Sequence, residues 1–362
     1  MKKVLIVFNH PAPYKVRLFN ELSKKIDLSV IFERRKNKDR SNNYYFEKEY
    51  EFKEVKISGI KLGNENILSC GVKNHIKKNH YDLIVMNGYS TFAEMKAIRY
   101  MQHHNIPYAL FINGGIIDAN EPTWKKNLKK SFISKADFYL SPDEGSNKYL
   151  IHYGANESKI FSYPNSTIYE NEILKNELSE AEKEIIKKQF GITGEKVYVS
   201  AGQFIKRKNY KVLIYSWKDM PSNHHLYIFG DGKEEKSYRK IIKDLQLNNV
   251  HLHRFLPKQE LLKVFSVSDV FLFPSSEDIY GHVINEALSQ GLPVISNVNV
   301  NSARKLLSER TGLITSDFSA QNILASIRQI ENQTTFKSCT DVAKENTVEI
   351  MSEKISKAIL EK

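Results

Sequence analysis

Cysteine is nearly absent from this chain. Cys70 and Cys339 are the two present, too few for a disulfide framework and too far apart for a metal-ligand spacing. A reducing compartment and no structural metal are therefore expected. Long apolar runs are missing as well. The run at residues 4–8 is stopped by Asn9, His10 and Pro11, so no secretory signal is expected. No stretch approaches the roughly 20 apolar residues of a membrane span. No G-x-G-x-x-G follows the first apolar run, which removes the main sequence support for a nicotinamide-dependent dehydrogenase. There is no arginine-rich arm, no zinc spacing and no RNP-like aromatic cluster, so only charge speaks for a nucleic-acid binder. Short-period repeats and low-complexity tracts are also absent.

The 362 residues suffice for two α/β domains. The hydrophobic fraction of 41% and charged fraction of 27% are those of an ordinary globular protein. The net charge of +12 is unevenly placed: residues 1–170 hold 27 Lys and Arg against 18 Asp and Glu, and the remainder 27 against 24. A basic N-terminal half suits a polyanionic neighbour, whether nucleic acid, an anionic membrane face or a phosphorylated substrate. It equally suits a set of solvated lysine faces.

Short β-branched runs alternate with helical periodicity along the whole chain. Strands are predicted at 3–8, 28–32, 82–86, 108–112 and 138–140, then at 197–201, 225–229, 250–253, 270–273 and 293–296. Helices are predicted at 14–25, 179–190, 210–217, 234–245, 258–267 and 283–290, and an amphipathic one at 346–361. This alternation implies parallel sheets covered by helices. Tyr163, Pro164, Asn165 and Ser166 read as a linker between two α/β units. Ligands of such sheets bind beyond the carboxyl ends of the strands, so the loops after each strand are where chemistry is sought.

Residues 273–296 read FPSSEDIYGHVINEALSQGLPVIS. A buried strand ends at Pro274, a polar acidic loop runs to Gly281, and a helix starts near there. Gly291 and Pro293 close the helix. Asp278 falls in the loop and Glu286 in the early turns of the helix. Carboxylates accept bonds from hydroxyls and a helix start accepts anionic charge, so the segment suits a ligand carrying both hydroxyls and phosphates. Residues 199–210 read VSAGQFIKRKNY. Gly202 turns the chain after a strand, and Lys206, Arg207 and Lys208 precede a helix, a setting that suits a diphosphate. Taken alone, each segment is also consistent with an ordinary solvated loop.

Together the two segments resemble the signature of glycosyltransferase family 4, of GT-B fold: an acid, seven residues, Glu286, Ala287, then Gly291, Pro293 and Val294. The first acid is Asp278 where the family usually has Glu. Residues 199–210 are similar to the family's G-R-L-x-x-x-K-G motif, with Lys208 at the Lys, Gln203 where Arg is usual and Asn209 in place of the last Gly. The FGDG at 229–232, the FLP at 255–257 and the stretch 153–166 resemble further family segments in the same order. The resemblance implies that Glu286 holds the donor ribose hydroxyls and that Asp278 contacts the transferred sugar. It implies that the backbone of Tyr280, Gly281, His282 and Val283 meets the donor's sugar and phosphates. Gly202, Gln203, Lys208 and, as a substitute clamp, Arg207 then hold the diphosphate, and Phe255 and Leu256 border the base. Asp278, Glu286 and Lys208 are the expected catalytic residues.

The N-terminal half says less. His10 is a candidate polar contact after the first strand, and equally a loop histidine. Asn113, Gly114 and Gly115 follow the strand at 108–112, with the two glycines as a point of close backbone approach. Residues 122–135 read PTWKKNLKKSFISK. Trp124, Leu128 and Phe132 form one stripe, flanked by Lys125, Lys126, Lys129 and Lys130. That pattern suits an anionic membrane surface or a stripe packed onto the sheet with the lysines outward.

By resemblance the fold is α/β with GT-B architecture: two Rossmann-like parallel-sheet domains facing across a cleft. Residues 1–166 form the acceptor domain, joined by the C-terminal helix at about 346–362, and residues 167–345 form the nucleotide-sugar domain. The implied activity is retaining transfer of a hexose-type sugar from a nucleoside diphosphate sugar, UDP-linked, with no metal and no further cofactor. The implied acceptor is a glycan or a polyprenyl-diphosphate-linked glycan in capsule or other surface polysaccharide synthesis. The implied location is cytoplasmic, peripheral at the inner membrane face, with no nucleic-acid partner. An epimerase or disaccharide synthase on the same fold is the alternative, and more remotely a basic nucleic-acid-binding protein.

Overall fold

Strand β1 (Lys3–Phe8) buries its last five side chains, as a strand covered on both faces must. A computed structural model describes residues 1–35, 49–57, 60–62, 66–68, 71–115, 117–118, 120–333 and 335–362. Cys70 and, in the loop after Asn113, Ile116 lie outside these. The chain divides into two units, Met1–Asn165 with Val348–Lys362, and Ser166–Thr347.

In the first unit β1 is joined by β2 (Asp27–Phe32), β3 (Lys53–Val55), β6 (Leu83–Met86), β7 (Tyr108–Phe111), β8 (Phe138–Ser141) and β9 (Ile160–Ser162). Between β3 and β6 lies a small antiparallel hairpin, β4 (Ile60–Leu62) with β5 (Asn66–Leu68). Among the described residues the main sheet runs β3-β2-β1-β6-β7-β8-β9, and its pairings are parallel. In the second unit β10 (Lys196–Ala201), β11 (His224–Phe229), β12 (Val250–His253), β13 (Val270–Phe273), β14 (Val294–Asn297) and β15 (Gly312–Thr315) form a parallel sheet ordered β12-β11-β10-β13-β14-β15. Strand order reverses between β1 and β6 in one sheet and between β10 and β13 in the other. Those reversals open crevices at the carboxyl ends of the strands.

Each sheet is buried between two apolar layers. In the second unit Val199, Phe271 and Phe273 belong to one layer and Tyr198, Leu226 and Leu272 to the other. The C-terminal helix Val348–Leu360 belongs to the first unit, where Met351, Ile355 and Ile359 are fully buried beside Phe19 and Leu22 of the helix Pro13–Ser23. Each such side chain contributes about 2 kcal/mol of hydrophobic stabilisation. The helix Glu180–Phe190 starts on a reciprocal Ser179–Glu182 capping box and stops at Gly191, φ +64°.

The helix expected at 283–290 runs from Val283 to Ser289, entered through the turn at Gly281. Strands β3, β9 and β15 were not expected from the sequence, nor were the helices Gly71–Lys78, Phe92–His103 and Glu144–His152. The three strands are short and lie at or next to a sheet edge. Their partners β2, β8 and β14 hold them in place, rather than any local alternation.

Candidate functional site

The crevice between β10 and β13 is where the basic turn and the acidic loop meet. β10 ends at Ala201, and the Gly202 N–H donates to Phe229 O at 3.0 Å. Gln203 follows, half-buried, and a single 3₁₀ turn then holds Lys206, Arg207 and Lys208. Asn209 has φ +55°, the left-handed conformation in which Asn substitutes for Gly most readily. That explains how the chain turns there without the glycine of the resembled motif. β13 ends at Phe273, and Ser275 and Ser276 fold back on the basic turn. The Ser276 N–H donates to Arg207 O at 2.8 Å, and the Ser275 and Ser276 hydroxyls donate to the same oxygen at 3.1 and 3.0 Å.

This zipper sets Asp278 beside two cations. Lys208 Nζ donates to Asp278 Oδ2, and Arg207 Nη1 reaches that oxygen at 3.3 Å and Glu277 O at 3.1 Å. The Lys208 ammonium also lies 4.4 Å from the centre of the Phe273 ring, a favourable cation–π placement. Lys208 and Asp278 expose only 11% and 14% of their side chains, so solvent screens this pair weakly. Burial alone would push the Asp278 carboxyl up. The charge and hydrogen bond of Lys208, then the charge of Arg207, more than offset it, and the group is held below its usual range. The cation and the acid expected at different parts of one ligand thus meet each other directly. Two cations share one acid, so the cluster keeps a net positive charge for an incoming anion.

Gly281 lets the loop pass tightly into the helix. Its φ is +87°, and a Cβ there would meet Val300 Cγ1 at 2.7 Å, so only glycine fits without a shift. Tyr280 is buried, its ring 5.0 Å from that of His282, and His282 and Val283 are half-buried at the helix start. Glu286 is half-buried on this helix, and its Oε1 accepts the Thr167 hydroxyl at 2.7 Å. Thr167 was not singled out from the sequence; its signal was only a hydroxyl residue directly after the linker. Asn285, next to Glu286, donates Nδ2–H to Ser166 Oγ at 3.1 Å and to Asn346 O at 2.8 Å, fixing the helix within the unit. Phe255, in the loop after β12, is exposed, while Leu256 packs against the core. Glu277 contributes only its carbonyl to this cluster.

The N-terminal candidates lie at the carboxyl ends of β1 and β7. His10 is half-buried; its N–H donates to Asn9 Oδ1 at 2.8 Å. Asn113 Oδ1 accepts from the Tyr163 hydroxyl at 2.7 Å and from Lys15 Nζ at 3.4 Å. The Gly114 N–H donates to Ser146 Oγ at 2.9 Å. A Cβ on Gly115 would strike the Tyr149 ring at 2.4 Å, so packing against Tyr149 is by itself a reason for glycine there. In the helix Thr123–Ile133, Phe132 is buried and Leu128 packs partly inward, but Trp124 is 69% exposed, and Lys125, Lys126 and Lys130 are exposed on the same helix. Lys129 turns inward to Glu121 Oε1 at 2.6 Å and to the Tyr153 hydroxyl at 3.1 Å. The stripe therefore splits: one end packs and the other projects.

Residues 182–348 match the family Glycosyl transferases group 1. A lipopolysaccharide core biosynthesis glycosyltransferase of Rhizobium meliloti is 30% identical over 135 residues, 37% of this chain and 39% of that protein. The mannosylfructose-phosphate synthase of Agrobacterium fabrum is 22% identical over 158 residues, 40% of this chain and 35% of that protein. The chain thus spans about two fifths of the length of these curated relatives. Among solved structures, the Anabaena protein HepE in complex with UDP superposes with a TM-score of 0.79 at 15% identity, covering 99% of this chain and 100% of that one. The sucrose-phosphate synthase of Thermosynechococcus elongatus gives a TM-score of 0.72 at 14% identity, covering 99% of each chain. The likeness to the solved structures is one of fold, the GT-B class with its two Rossmann-like parallel-sheet units.

Proposed function

We propose that this chain, which belongs to the group 1 glycosyl transferases through its residues 182–348, transfers a hexose-type sugar from a UDP-linked donor to a glycan carried on a lipid diphosphate. The observation that carries this reading is the Lys208–Asp278–Arg207 cluster at the strand-order reversal of the second sheet, where ligands of such sheets bind. A diphosphate brought to that cluster draws on its surplus positive charge, which loosens Lys208 from Asp278 and frees the carboxylate for sugar hydroxyls. Glu286, held by one hydroxyl, exchanges the Thr167 contact for the ribose hydroxyls. In the transfer, the bond from the sugar's anomeric carbon to the diphosphate breaks and one to the acceptor oxygen forms on the same face. The departing phosphate oxygen takes the acceptor's proton. The cations and the loop backbone stabilise the negative charge growing on the leaving group, a contribution of about 3–4 kcal/mol per well-placed donor.

The test is a panel of sugar nucleotides with the purified chain, scored for UDP release with and without a glycan acceptor and with a chelator present throughout. Release that requires the acceptor is expected; an epimerase would release none. Asp278→Asn and Glu286→Gln are each expected to lower transfer by about a hundredfold or more while the protein stays folded. Full turnover by both variants would remove these residues from the site. A second reading, transfer to a soluble sugar phosphate, is favoured by the likeness to the mannosylfructose-phosphate and sucrose-phosphate synthases. It is recognised by a product that stays in water and not in the lipid extract.

The lipid-linked acceptor is supported by the projecting end of the helix Thr123–Ile133. An exposed Trp124 on a helix that also exposes Lys125, Lys126 and Lys130 suits the headgroup layer of an anionic membrane at the cytoplasmic face. Among the described residues no helix is long and apolar enough to cross a membrane. Replacing Trp124 by Ala and the three lysines by Gln is expected to reduce binding to phosphatidylglycerol vesicles at least tenfold, at about 1 kcal/mol per lysine. Unchanged sedimentation with vesicles would exclude this face.

A further inference from the structure

The helix Pro13–Ser23 turns Val16, Phe19 and Leu22 into the core, and Lys15 goes with them at 0% exposure. Burying an ammonium is costly unless it is paired, and among the described residues Lys15 has no carboxylate partner. Its Nζ lies 4.4 Å from the centre of the Phe111 ring, with the rings of Tyr14, Phe8 and Tyr163 at 5.2, 5.7 and 6.0 Å. Its hydrogen bond goes to Asn113 Oδ1, the oxygen that also accepts the Tyr163 hydroxyl.

Two donors on one carboxamide oxygen fix the side chain. The Asn113 oxygen is committed to the aromatic box, which leaves its Nδ2–H groups as the remaining donors of a half-buried residue just past the end of β7. No hydrogen bond to Nδ2 occurs among the described residues. A cation on the carbonyl side draws electrons from the amide and strengthens its N–H donors, since hydrogen bonds in a chain polarise one another. The following turn is held still by the Gly114 N–H bond to Ser146 Oγ, which in turn donates to Asp143 Oδ2 at 3.2 Å. The result is one carboxamide N–H₂ on a fixed turn, with a buried, readily protonated amine behind it.

We propose that Asn113 and the turn at Gly114 and Gly115 form the mouth of an anion site in the first unit, that Lys15 is its buried counter-charge, and that the anion is a phosphate or diphosphate ester. The transfer reading enters only in naming that ester, which is either the acceptor's lipid-linked diphosphate or the donor's. Lys15 acts through Asn113 and is a positioning residue. Burial lowers its ionisation to about 7, and the side chains facing it are the rings of Phe8 and Phe111 and the phenols of Tyr14 and Tyr163. An anion at the mouth favours the charged amine, so binding above neutrality takes up a proton, and by linkage the proton tightens binding.

The probe is inorganic pyrophosphate, titrated calorimetrically at pH 8 in buffers of different ionisation enthalpy into full-length Lys208→Ala protein, which weakens the other diphosphate site. Proton uptake approaching one per chain is expected. Lys15→Met should abolish the uptake and weaken binding roughly tenfold or more. Lys15→Arg, which stays charged, should bind without uptake. Asn113→Asp should lose affinity while raising the melting temperature, because it supplies Lys15 with a partner. This half-buried change keeps the test decisive if Lys15→Met does not fold. In the same protein, Lys15-dependent uptake with geranyl diphosphate and not with UDP assigns the site to the acceptor, and the converse assigns it to the donor. Uptake that survives Lys15→Met, or no pyrophosphate binding at all, overturns the proposal, and neither result touches the Asp278 and Glu286 assignments.

Discussion

Lys208→Ala is expected to lower sugar transfer by about a thousandfold and UDP affinity by about tenfold or more, and to move the acid limb of the pH–rate profile upward. Both effects come from one side chain. Removing a buried donor that meets developing charge costs about 10²–10³ in turnover. Here the same group also keeps Asp278 ionised. Without Lys208, burial pushes the Asp278 carboxyl up, opposed by Arg207 at 3.3 Å on one oxygen and by the Tyr280 N–H at 3.4 Å on the other. The wild-type carboxylate is ionised throughout the neutral range, because its ionisation lies below the ordinary value. In the variant the raised carboxyl takes up a proton at a higher pH, and activity is lost there. The profile separates two roles. If Lys208 only holds Asp278, activity recovers at alkaline pH and UDP binds as before. If it meets the diphosphate, both UDP affinity and alkaline turnover stay low.

How much of this is legible in the sequence depends on the kind of contact. Residues 270–273 are four apolar residues between turn signals, and they form β13 with every side chain buried; the local pattern was sufficient. Lys53–Val55 and Gly312–Thr315 carry no such pattern. Each is a strand because a neighbour offers a ladder, with Ile31 opposite Val55 and Val294 opposite Gly312. The helix Phe92–His103 went unread although its signal was present, since Thr91 and Glu94 form a capping box. In the second unit the spacing of Asp278 and Glu286 was visible as a motif. The direct pairing of Asp278 with Lys208 was not, because it spans 70 residues and requires β10 and β13 to be adjacent. Lys15 was legible only as one lysine in an apolar stripe. Its burial comes with the rings of Phe8, Phe111 and Tyr163, from elements that sequence spacing does not connect.

The second large effect concerns stability. Glu33, directly after β2, and Glu94, at the start of the helix Phe92–His103, are 8% and 0% exposed. Glu94 Oε2 accepts the Ser90 and Thr91 N–H groups at 2.8 and 3.0 Å, and the Thr91 hydroxyl donates to Glu33 Oε1 at 2.8 Å. Glu33 Oε2 and Glu94 Oε1 are buried with no partner in the described structure. Burial, then the charge of Glu94, pushes the Glu33 carboxyl up to about 7 against the Thr91 bond. Between its unfolded value of 4.5 and about 7, the folded chain therefore holds a proton that the unfolded chain has lost. Stability falls as pH rises through that window and stays reduced above it. Glu33→Gln keeps an oxygen for Thr91 and adds N–H donors toward Glu94. It should raise the melting temperature at pH 8 by several degrees and change it little near pH 4.5. Lys15 contributes the opposite limb. Its ionisation is depressed from 10.5 to about 7, so the unfolded chain holds the extra proton between those values and stability rises with pH across them. Glu33→Gln should reduce the acid-side fall, leaving the part due to the buried Glu94 carboxyl, which burial also pushes up, and Lys15→Met should remove the alkaline-side rise, measured as melting temperature against pH. A first unit whose stability dips near neutrality, with both limbs ending at groups on the carboxyl edge of its sheet, is built around charge that a binding partner is expected to compensate. A flat wild-type profile from pH 5 to 10 would show that neither group is strained as described.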